Sequence, residues 1–200
     1  MIAGGNGWTA QTVLDAQTFR QLETFDRKNS NGVIPGDSAL LIRRGDNLFL
    51  RSDGKQESAL ASRSLGVFPD ARFLNDDTVL TIADYKDHAA VIVRKDGTIL
   101  HRVPVEEPWK TSFISSASGS RFCIEEYGYT KLNALMSPLD IDSGRPPDLQ
   151  TIRVFDVASG KQLTKFQWDP RPYVVTPALS PDGHRLAAIR QGILEVYELP

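Results

Sequence analysis

Short apolar runs recur along this chain with a period near 40 residues, and a repeat of that length constrains the possible folds more than any other property of the sequence. Four turn-forming clusters mark the period: Pro35-Gly36-Asp37-Ser38, Asn75-Asp76-Asp77-Thr78, Ala117-Ser118-Gly119-Ser120 and Pro181-Asp182-Gly183-His184. Each is followed by a run of apolar residues. The residues just before them, Ile34, Leu74, Ser116 and Ser180, are separated by one period, one period again, and then about one and a half. The last interval is one period plus an insertion, placed at Tyr129 to Gln150.

A second repeated turn lies half a period away. Asp15-Ala16-Gln17-Thr18-Phe19-Arg20-Gln21-Leu22-Glu23-Thr24-Phe25 matches Asp156-Val157-Ala158-Ser159-Gly160-Lys161-Gln162-Leu163-Thr164-Lys165-Phe166 at Asp, Gln, Leu and Phe, with a constant offset and no gap. Between them, Arg51-Ser52-Asp53-Gly54-Lys55 and Arg94-Lys95-Asp96-Gly97-Thr98 join apolar runs in the same manner. Glycine suits such turns because it accepts the positive φ that tight reversals need.

The runs themselves are rich in Val, Ile, Leu, Thr and Phe and are five or six residues long, the usual length of a strand. They include Thr78 to Ala83, Ala89 to Val93, Thr98 to Val103, Thr151 to Phe155, Gln162 to Phe166, Arg185 to Ile189 and Ile193 to Tyr197. Helical periodicity is scarce. An all-β chain with four strands per unit of 40 to 45 residues is a β-propeller, here an arc of about four and a half four-stranded antiparallel blades. The expected blades cover 1–27, 33–60, 67–103, 111–167 and 173–200, with the insertion at 129–150. Three strands, three sets of four and three more make 18 strands. Such a count does not close a ring, so the expectation is the C-terminal part of a larger propeller, or self-association through open blade edges.

Two stretches resemble the WD-repeat family and related bacterial propellers. Thr151-Ile152-Arg153-Val154-Phe155-Asp156-Val157-Ala158-Ser159-Gly160-Lys161-Gln162-Leu163 is similar to the third strand, turn and fourth strand of a WD repeat, with Phe155 where the family usually has Trp. Leu179-Ser180-Pro181-Asp182-Gly183-His184-Arg185-Leu186-Ala187 resembles the turn between first and second strands. No His and Asp pair stands where the family's structural hydrogen-bond network needs one, so blades are expected to rest on apolar packing alone. The resemblance implies a fold and leaves the ligand open.

Several classes of function are disfavoured by composition and motif. A net charge of -2 and the lack of a long basic run argue against a dedicated nucleic-acid binder. Nowhere do about 18 consecutive apolar residues occur, so no membrane span is expected. The N-terminal residues Met1 to Trp8 have neither a basic segment nor an apolar stretch of signal-peptide length. Cys123 is the only cysteine and sits in the apolar run Phe122-Cys123-Ile124, where it reads as a small hydrophobe. His88, His101 and His184 are scattered without a second ligand nearby. Asp140-Ile141-Asp142-Ser143-Gly144 starts like a calcium loop, but Thr151 stands where the final Glu is required. Arg44-Gly45-Asp46 is a hairpin turn. No catalytic residue, metal site or cofactor is assigned.

The resemblance does imply a face. In propellers the loops joining second to third strands, and one blade to the next, gather on one side and often carry binding. Here these loops contain Trp109, Tyr129, Trp168, Arg171 and Tyr173, aromatic and Arg residues of the kind that anchor interfaces. The expected function is a non-enzymatic scaffold binding a protein or peptide through these residues. The alternatives are an enzyme or enzyme-associated propeller, lactonase-like or peptidase-attached, with ligands in its channel, and a remnant without independent activity. A purely structural role for Trp109 or Trp168, wedged between blades, competes with the binding role.

Overall fold

The computed structural model describes residues 2–3, 10–14, 17–26, 32–35, 39–44, 47–52, 57–61, 71–82, 88–106, 111–128, 149–170 and 175–200. Among the described residues there is no helix, and the strands form five antiparallel sheets. The chain divides into two compact units, Met1–Pro104 and Val105–Pro200.

The first unit holds three sheets. The first contains β1 (Ile2–Ala3), β2 (Ala10–Leu14) and β3 (Gln21–Asp26), and the second contains β4 (Gly32–Pro35), β5 (Ala39–Arg44), β6 (Asn47–Ser52) and β7 (Glu57–Ala61). The third contains β8 (Ala71–Phe73), β9 (Thr78–Ile82), β10 (Ala89–Arg94) and β11 (Ile99–Pro104). Each strand pairs with its sequence neighbours, so every sheet is a meander.

A strand buried on both faces loses the usual alternation and reads as a continuous apolar run. β5 shows why: Leu41 joins a core with Leu48, Leu50, Leu60, Val79, Val91 and Val93, while Ile42 packs on the opposite side with Val13 and Phe25. β10 is buried from Ala89 to Val93 for the same reason. Arg51 pairs with the Glu23 carboxylate by two hydrogen bonds and lies over the Phe25 ring, 4.9 Å from its centroid.

The second unit holds β12 (Thr111–Ser115), β13 (Arg121–Gly128), β14 (Leu149–Asp156) and β15 (Gln162–Trp168) in one sheet, and β16 (Thr176–Leu179), β17 (Arg185–Arg190) and β18 (Ile193–Glu198) in the other. Cys123, Ile152, Val154, Phe166 and Trp168 on the first sheet pack against Leu179, Leu186, Tyr197 and Leu199 of the second. Strand β14 starts before the expected Thr151, because Gln150 is paired with both Tyr127 and Trp168.

The repeat seen in the sequence returns as a repeat of hydrogen bonds. Ser116 N–H donates to Arg121 O at 3.0 Å and Gly119 N–H to Ser116 O at 3.1 Å; Ser180 and Gly183 make the same pair of bonds, both at 2.9 Å. In each sheet a residue just past the third strand closes back on this turn: Val157 N–H donates to Ser120 O, and Leu199 N–H to His184 O. The two turns also touch, through Ser118 N–H to Pro181 O at 2.8 Å and Arg121 Nη1 to Gly183 O at 3.0 Å.

Candidate functional site

One end of the larger sheet in the second unit carries an unusual load of buried polar groups. Here β12 begins, β13 ends, β14 begins, β15 ends and, next in the chain, β16 begins. Glu125, Glu126, Gln150 and Thr151 are all buried at this end. Expected packing by apolar contact alone is corrected here: a carboxylate or amide inside a sheet survives only when hydrogen bonds replace the water it gave up.

On the face turned towards β16–β18, the Glu125 carboxylate accepts from Ser112 Oγ at 2.6 Å, from Tyr127 OH at 2.8 Å and from Gln150 Nε2 at 2.5 Å. The Gln150 amide then spans to the segment before β16. Its Nε2 donates to Val175 O at 2.7 Å, and Val175 N–H donates to its Oε1 at 3.0 Å. Gln150, fully buried, so acts on Val175 as a strand backbone would. Desolvation, followed by the hydrogen bond to Glu125 and that residue's charge, pushes the Tyr127 phenol well above its ordinary value.

On the opposite face, Glu126 accepts from Glu106 N–H at 2.6 Å and from Arg153 Nε at 2.9 Å. Arg153 Nη2 lies 2.8 Å from the same carboxylate oxygen as an ion-pair contact, without hydrogen-bond geometry. Arg153 also covers the Phe155 ring, 5.4 Å from its centroid.

Of the five residues expected to bind a partner, Trp109, Tyr129, Arg171 and Tyr173 lie outside the described residues, as do residues 129–148 of the expected insertion. Trp168 is described, at the end of β15. It is half-buried, stacked on Phe166 with centroids 5.4 Å apart and tilted against Tyr197 at 6.1 Å. Its ring therefore belongs at least partly to the packing between the two sheets. Sequence reasoning missed Glu125, Gln150 and Val175. The local trace was a paired acid at the end of an apolar run, Glu125-Glu126, followed by Tyr127, since two of the three groups that satisfy Glu125, Ser112 and Gln150, come from other strands.

Neither a protein-family model nor a curated protein matches the chain. Solved structures do. Kluyveromyces lactis Hsv2p superposes with a TM-score of 0.60 at 13% identity, over 94% of this chain and 55% of that one. Hsv2 of K. marxianus gives 0.58 at 11% identity, over 95% and 53%. The dihydro-heme d1 dehydrogenase NirN, solved in complex with DHE, gives 0.56 at 14% identity, over 99% and 41%. These neighbours are β-propellers, and the fold of this chain is of that class. At such identities the likeness carries the fold alone. The chain spans about half the length of the structures it matches.

Among the described residues no group of three His, Cys, Asp or Glu side chains is arranged to hold a metal ion. No helix of the described residues is long and apolar enough to cross a membrane.

Proposed function

We propose that this chain is a propeller scaffold of the WD-repeat type found in bacteria, and that it binds a protein or peptide at the end of the second unit where the buried polar network lies. The observation carrying this reading is the Gln150 clamp. Rigid support beneath variable loops is what a binding face needs, because loops held by a fixed frame lose less entropy when a partner arrives. Hydrogen bonds among Ser112, Glu125, Gln150 and Val175 tie together the ends of β12, β13 and β14 and the residue before β16, which residues 107–110, 129–148 and 171–174 adjoin in the chain. Trp109, Tyr129, Arg171 and Tyr173 belong to or adjoin those segments, and Trp168 stands at their base.

The test replaces Trp109 and Arg171 together by Ala and measures capture of a partner first identified by pull-down with the unaltered chain. Capture should fall at least tenfold while the β-type circular dichroism is unchanged. Undiminished capture would remove the face assignment. Metal and chromophore analysis of the same preparation separates the rival: a stoichiometric metal or bound chromophore would favour an enzyme-associated propeller.

A further inference from the structure

We draw no further inference here: the strongest candidate, the turn joining β2 to β3, where Phe19 stands at a positive φ of 55° in the place that Gly160 takes between β14 and β15, is an exposed apolar tip, and nothing in the structure shows what covers it.

Discussion

Gln150 and Val175 are joined by two hydrogen bonds running in opposite directions, amide to carbonyl at 2.7 Å and backbone N–H to amide oxygen at 3.0 Å. A glutamine side chain here takes the place of a peptide group, and it does so while its Nε2 also serves Glu125. Replacing it with Leu would keep the volume and strand three partners: the Val175 N–H, the Val175 carbonyl and one acceptor site of Glu125. Each buried orphan costs about 1–3 kcal/mol, so Gln150→Leu should destabilise by at least about 3 kcal/mol in urea unfolding. Gln150→Glu should do no better, because it places a second carboxylate against Glu125. A loss under about 1 kcal/mol for Gln150→Leu would show that the clamp contributes little to the fold.

Cys123 gives a stability profile with a definite sign. Burial, and then the charge of Glu125, push its thiol from an ordinary 9.0 up to about 12. The folded state therefore holds a proton that the unfolded chain has already released between those values. Stability from this group is complete below pH 9 and declines as pH rises towards 12, by up to about 1.4 kcal/mol for each unit. Tyr127 adds to the decline above pH 10, since its phenol is raised as well. Cys123→Ala should be less stable at neutral pH through its lost packing, yet show a shallower alkaline fall. At pH 8 the native thiol should also resist Ellman's reagent until urea opens the sheet. Prompt labelling of the native protein would contradict its burial.

Two glycines separate backbone strain from crowding. The hairpin from β17 to β18 turns on Gln191 and Gly192, both at positive φ, 51° and 79°, the twist that two-residue hairpins favour. A Cβ at Gly192 would meet nothing within 4 Å, so Gly192→Ala should cost only the left-handed strain, about 1 kcal/mol. Gly183 has φ of 81°, and a Cβ there would come within 3.0 Å of Ser120 Oγ and 3.2 Å of the Arg121 side chain. Gly183→Ala should therefore be the more costly change, because it also disturbs the contact between the two turns. Equal thermal midpoints for the two variants would show that the turn contact yields without cost.

The fold is legible because its markers are local. Gly and Asp in the turns, and runs such as Ala89 to Val93 buried on both faces, declare a meander of short strands at a fixed period. The polar network is not legible, because apart from the Tyr127 hydroxyl on Glu125 its bonds cross strands and sheets. Gln150 sits 25 residues from both Glu125 and Val175, and in sequence it looks like the end of an insertion when it is the second residue of β14. Phe155 reads as a substitute for a family tryptophan; its ring stacks on Phe122 at 5.1 Å, a contact that only the strand register reveals. Trp168 is legible as an aromatic at a strand end, but its burial against Phe166 and Tyr197 depends on β18, the last strand of the neighbouring sheet.

Arg153 and Glu126 make the sharpest test of how the interior carries charge. Both side chains are mostly buried, at 12% and 6% exposure, and their contact is bolstered by the Glu106 N–H on the carboxylate. Taking two charges out of water is costly, and the pair is tolerated because each cancels the other's field. Removing one member leaves the other buried and uncompensated, which typically costs about 3–5 kcal/mol, whereas removing both is far milder. Arg153→Met and Glu126→Gln should each destabilise strongly, and the double variant should recover much of the loss. Guanidinium unfolding of the four proteins gives the coupling energy directly. Additive losses in the double variant would mean that the two side chains act separately and that the ion pair is incidental to the packing of Arg153 on Phe155.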